Sequence, residues 1–145
     1  FPQNHSDAID KNTPQNLFDW LKARKLGIYD QEVRSVLGKM LFAGEDAFKN
    51  IQTLSGGETA RLLLGGMILQ DHNMIFLDEP NNHLDLEAVS ALGWALDEYK
   101  GTAFVVSHDR DLLNRFAKKI IAFENGKITV FDGTLEEYLT ASKKK

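Results

Sequence analysis

Three short segments hold most of the side chains able to do chemistry: Leu54-Ser55-Gly56-Gly57-Glu58, then Met74 to Pro80 reading MIFLDEP, then Val106-Ser107-His108-Asp109. In the first, a serine and two glycines precede a helical run. A helix amino terminus offers unpaired N–H groups and partial positive charge, and glycines let an anion such as a phosphate approach the backbone. In the second, adjacent carboxylates end an apolar run. Pro80 biases Glu79 towards an extended backbone, on which Asp78 and Glu79 point to opposite sides and take different tasks. One carboxylate suits a hydrated Mg²⁺ and the other suits activation of a water. Ligands of open parallel sheets sit beyond the carboxyl ends of the strands, and neighbouring strands lie about 5 Å apart, so the ends after Leu77 and Val106 can converge on one ligand. No G-x-x-x-x-G-K-[ST] phosphate loop occurs between Phe1 and Lys145.

Taken singly, each segment has a plain structural reading. Ser55 and Glu58 form an S-x-x-E capping box, Asp78-Glu79-Pro80 is an acidic turn, and His108 alone is a surface histidine. The order and spacing of all three segments give them their functional force. His5 and His72, among polar neighbours, read as surface residues. Trp20 beside Lys22, Arg24 and Lys25 could stack on RNA bases, but a helix with a buried aromatic and a solvated cationic face explains it better.

The elements that must position these groups change character near residue 70. Thr13-Pro14 predicts a helix start with Leu17, Phe18 and Leu21 on its apolar face, and Asp30 predicts the cap of a second helix through Val33, Val36, Leu37, Met40 and Leu41. The capping box at Ser55 opens a third, through Leu62, Leu63, Met67 and Ile68. Met74–Leu77 and Ala103–Val106 then read as strands flanking a helix over 86–99. Their unbroken apolar character predicts a parallel sheet covered on both faces. Asn125-Gly126 predicts a hairpin between 120–123 and 128–131, Thr134 and Glu137 cap a closing helix, and Ser142–Lys145 reads as a solvated tail. The expected organisation is a helical segment over 1–70 and an α/β segment over 71–145.

Composition narrows the classes. A length of 145 residues with 43% hydrophobic content fits one domain with a sizeable core. There is no cysteine, so disulfides and thiolate metal sites are excluded. The net charge of −4 argues against a surface that coats nucleic acid or anionic membrane. The longest apolar run, Leu62–Leu69, falls well short of the roughly 20 residues that span a bilayer. An intracellular, cytoplasmic protein is expected, and a first residue of Phe fits a piece of a longer chain.

LSGGE, MIFLDEP, Asn81-Asn82-His83-Leu84-Asp85 and VSHD, in that order, resemble the signature motif, Walker B motif, D-loop and switch histidine of an ATP-binding-cassette (ABC) ATPase domain. The resemblance covers nearly the whole chain, and Gln3 matches the Q-loop glutamine by position. The D-loop is similar to the T-N-H-L-D of the ABC-F class, soluble two-cassette proteins that act on ribosomes; Asn81 replaces the usual threonine, and Thr134-Leu135 stands where Asn-Tyr is common. The lysine-rich end looks more like the second cassette than the first. A transporter ATPase would share every catalytic segment.

The resemblance implies a partial P-loop NTPase fold, a helical subdomain followed by the carboxyl-terminal part of a mainly parallel α/β core, with ATP and Mg²⁺ as ligands. It implies that Asp78 holds Mg²⁺ through its water shell, that Glu79 deprotonates the attacking water, that His108 contacts the terminal phosphate, and that Gln3 senses metal and water. Ser55, Gly56, Gly57 and Glu58 would face ATP on a second cassette, with Asp85 coupling the two sites. Without a phosphate loop, residues 1–145 alone are expected to be inactive, with an exposed apolar edge that favours association.

Overall fold

The computed structural model describes residues 9, 10, 12, 14–82 and 84–143; Gln3, Thr13 and His83 lie outside them. The chain divides into two compact units, residues 1–106 and 107–145.

The first unit opens with α1 (Leu17–Lys22) and α2 (Asp30–Lys39). Neither begins as its sequence predicts. Gln15 and Asn16 are drawn into a pairing with residues 50 and 51, through an antiparallel bridge between Asn16 and Asn50 and a bond from Ile51 N–H to the Gln15 carbonyl. Pro14 therefore stays outside the helix, and Asn16 caps α1 by accepting the Asp19 N–H at 2.7 Å. Tyr29, not Asp30, is the N-cap of α2. The Glu32 carboxylate accepts the Tyr29 N–H, while Asp30 pairs with Lys22 at 2.6 Å. Two 3₁₀ turns, Gly44–Phe48 and Ile51–Thr53, lead into α3 (Gly56–Leu69).

Helix α3 runs unbroken through Gly65 and Gly66. A β-carbon on Gly65 would meet Met40 and Val36 of the α2 segment, and one on Gly66 would press on the Trp20 ring at 3.1 Å. These glycines therefore admit close helix packing. Leu17, Leu21, Val33, Leu37, Met40, Leu62 and Leu64 fill the resulting core. Trp20 is 6% exposed, with the Arg24 guanidinium 3.7 Å from its ring centroid, so the ring has no open face for a base.

β1 (Met74–Asp78), α4 (Leu86–Glu98) and β2 (Thr102–Val106) complete the first unit as a strand–helix–strand crossover. The strands pair in parallel with Met74 opposite Thr102 and Asp78 opposite Val106. The expected cover on both faces is not found. Ile75 and Leu77 are buried, whereas Met74 and Phe76 on the alternate face are 49% and 65% exposed, and the Phe76 and Phe104 rings stack at 5.3 Å. Among the described residues the sheet has these two strands, so each presents an unpaired edge.

The second unit holds α5 (Arg110–Phe116), β3 (Lys119–Glu124), β4 (Lys127–Asp132) and α6 (Leu135–Ser142). β3 and β4 form the antiparallel hairpin that Asn-Gly predicts. Its two-residue turn has φ of 50° at Asn125 and 73° at Gly126, the two positive values a type I′ turn requires. Thr134 and Glu137 cap α6 reciprocally. Ser142 belongs to that helix and not to a tail. Tyr138 packs edge-on against Phe131, and its hydroxyl donates to Glu124 at 2.9 Å. Among the described residues no helix is long and apolar enough to cross a membrane.

Candidate functional site

The start of α3 is the most completely built part of the site. Ser55 has an extended backbone, its hydroxyl accepts the Glu58 N–H, and the Glu58 carboxylate accepts the Ser55 N–H at 2.8 Å. The other carboxylate oxygen of Glu58 takes a bond from Lys49 at 2.6 Å. Burial pushes the Glu58 carboxyl up, but the Lys49 ammonium and the Ser55 backbone and hydroxyl donors outweigh it and hold the group below its ordinary range. Lys49 adds positive charge to a helix terminus that already favours anions. No local motif singles it out in the sequence, because it lies nine residues from Glu58.

The two glycines of the motif differ. A β-carbon on Gly56 would meet open space, whereas one on Gly57 would lie 2.7 Å from Cγ of Asp85. Gly57 and Asp85 are thus in direct apposition. Asp85 is the N-cap of α4, accepting the Ala88 N–H at 2.8 Å. Phosphate could approach the backbone at Gly56, whereas the position a Gly57 side chain would occupy is filled by the Asp85 carboxylate.

Asp78 ends β1 as an exposed side chain, and Glu79 follows at the strand terminus. The predicted extended backbone at Glu79 is not found: its φ is 44°. Its N–H still donates to the Val106 carbonyl at 2.7 Å, extending the ladder by one bond, and its carbonyl accepts the Asn82 N–H at 3.0 Å. The chain must therefore leave the sheet and close a turn over Glu79-Pro80-Asn81-Asn82 within one residue. The left-handed conformation at Glu79 follows from that demand, at a cost of about 1–2 kcal/mol for a non-glycine residue. Pro80, at the second position of the turn, is fully buried.

In the second unit, Ser107 accepts the Asp109 N–H at 3.0 Å, and Asp109 caps α5 by accepting from Asp111 and Leu112. His108 is held between these two residues as an exposed side chain. Sequence reasoning missed α5, although Asp109 is a strong capping residue, because the helix is only seven residues long.

The donor set fits a hydrated cation better than a caged one. Among the described residues no three His, Asp or Glu side chains cluster as a metal cage. Mg²⁺ retains several waters and is commonly held through one or two carboxylates, a requirement that Asp78 alone can meet.

No protein-family model matches the chain. Sequence comparison finds the chain 37% identical over 140 residues to the probable ATP-binding protein YbiT of Escherichia coli O157:H7, covering 96% of this chain and 26% of that protein. It is 34% identical over 138 residues to mouse ATP-binding cassette sub-family F member 3, covering 95% and 19%, and 40% identical over 135 residues to the energy-dependent translational throttle protein EttA of Escherichia coli K12, covering 91% and 24%. An archaeal ribosome recycling factor, aABCE1, solved with ribosomal stalk protein aP1, superposes with a TM-score of 0.64 over 94% of this chain and 27% of that one, at 24% identity. The fold is therefore part of an ABC-type P-loop NTPase, and the chain spans between about a fifth and a quarter of the length of these curated relatives. On that similarity, the chain belongs to the ATP-binding-cassette proteins of the ABC-F type.

Proposed function

We propose that residues 1–145 form the signature, Walker B, D-loop and switch portions of a cassette that binds and hydrolyses ATP. The observation that carries this reading is that one chain presents both a parallel β1–β2 end carrying Asp78-Glu79 and a capped, lysine-flanked helix start at Ser55-Gly56. Residues 1–70 serve as its helical subdomain and residues 71–145 as part of its core. Mg²⁺, when bound, neutralises phosphate charge. Asp78 would hold that ion through its water shell, Glu79 would take the proton of the attacking water, and His108 would donate towards the terminal phosphate. Ser55, Gly56, Gly57 and Glu58 would face ATP on a second cassette, and Gln3 and Asp85 would complete the paired sites. The chain supplies no phosphate loop, so we expect no steady turnover from these 145 residues by themselves.

The parent is proposed to be a cytoplasmic ABC-F protein acting on the ribosome. The similarity to a translational throttle protein favours that over a transporter ATPase. The test is to graft residues 1–145 in place of the matching stretch of EttA, with Glu79→Gln to retain ATP. Co-sedimentation of the graft with ribosomes in ATP and not in ADP supports the reading. Nucleotide-independent sedimentation, or none, contradicts it.

A further inference from the structure

Two contacts join α3 to the start of α4, from positions one turn apart on α3. At the first, Gly57 lies under the Asp85 carboxylate. At the second, Arg61 reaches Glu87 in the first turn of α4, with Nη2 to Oε2 at 3.0 Å. Arg61 is only 5% exposed, the one charged residue among the buried polar groups of the described chain. Its Nη1 donates to the carbonyls of Met40 at 3.2 Å and Leu41 at 3.4 Å, where α2 ends, and the Phe42 ring lies 4.8 Å from the guanidinium. Its Nε has no hydrogen-bond partner among the described residues. Burying a cation is costly, and no step of the proposed chemistry uses this one.

We propose that Arg61 is a positioning residue that fixes the first turn of α4, and with it Asp85, to α3 and the end of α2, so that Ser55–Gly57 and Asp85 move as one body. The planar guanidinium suits this task because its donors point to three acceptors on two other elements at once. A lysine ammonium is a compact point charge and cannot reproduce that fork. The clasp itself needs no nucleotide. Only its use, carrying a change at the signature segment to the D-loop of the same cassette, rests on the ATPase reading.

Amide hydrogen exchange on the nucleotide-free 145-residue chain tests it, with Arg61→Met, Arg61→Lys, Glu87→Ala and the Arg61→Met/Glu87→Ala double variant. Glu87→Ala, a change at an exposed helix position, should speed exchange at Ala88 and Val89 by about five- to tenfold, the factor for a weakened helix cap, and leave α1 and α2 amides at wild-type rates. The double variant should exchange no faster there than Arg61→Met, because each change removes the same contact. Arg61→Lys should behave like Arg61→Met at Ala88. Unchanged Ala88 and Val89 rates in Glu87→Ala, or multiplying effects in the double variant, would overturn the proposal, and so would wild-type rates in Arg61→Lys. If Arg61→Met does not fold, Glu87→Ala decides alone. Failure of the clasp leaves the nucleotide reading intact, since no nucleotide is present; loss of ATP-dependent sedimentation with normal exchange would count against that reading only.

Discussion

Glu79 gives an unusually clean test of the turn that ends β1. Its φ of 44° puts a side-chain-bearing residue in the left-handed region. That conformation costs a non-glycine residue about 1–2 kcal/mol and costs glycine nothing, while glycine loses about 0.5–1 kcal/mol more chain entropy on folding. Glu79→Gly should therefore be more stable than Glu79→Ala by about 0.5–1 kcal/mol, or about 1.5–3 °C in Tm for a chain of this size. Both variants remove the same carboxylate, so its contacts cancel in the comparison. Urea unfolding of the two variants, with midpoints compared at equal slopes, measures the difference. At a residue in extended backbone the order reverses, and alanine leads by about 0.4–1 kcal/mol. A Glu79→Ala protein as stable as Glu79→Gly, or more so, would refute the left-handed turn and restore the extended strand end that Pro80 predicts.

Further predictions concern the cap, the missed helix and the open face. Because the Glu58 pKa is depressed in the folded chain, its stabilising effect is complete above the ordinary value of 4.5 and is lost as pH falls through the lower folded value; acid titration of stability should show a loss between the ordinary and the lower folded value which Glu58→Gln lacks, and identical profiles would contradict it. Asp109→Ala should cost about 1 kcal/mol through loss of the α5 cap, seen as faster exchange at Asp111 and Leu112, the two amides it accepts from; unchanged exchange there would exclude that role. The stacked pair Phe76 and Phe104 lies on the open sheet face, so sedimentation velocity should show association that rises with concentration and falls in Phe76→Glu. A wild-type chain that stays monomeric at high concentration would count against an adhesive face.

Local signals were readable in the sequence, and long-range ones were not. The capping boxes at Ser55 and Thr134 and the Asn125-Gly126 turn depend on residues within three or four positions, and the structure contains all of them. The parallel β1–β2 crossover was also legible, because two apolar runs flanking a helical period have few other solutions. The start of α1 was misplaced because Asn16 pairs with Asn50, 34 positions away, which no local pattern reports. Arg61 and Lys49 went unnoticed for the same reason: their significance lies in partners on other elements, Glu87 and Met40 for the first and Glu58 for the second. At Glu79 two rules competed. The restriction that Pro80 places on its predecessor lost to the requirement that the chain bond to Val106 and close a turn at once.

The central claim is that the end of β1 carries the group that activates water for ATP hydrolysis. Single-turnover hydrolysis by the EttA graft bearing residues 1–145, compared with the same graft carrying Glu79→Gln, tests it most directly. Loss of a positioned general base slows a reaction by about 10²–10⁴-fold, so the account predicts a fall of that order in the hydrolysis rate with ATP binding retained. Equal single-turnover rates in the two grafts would contradict it.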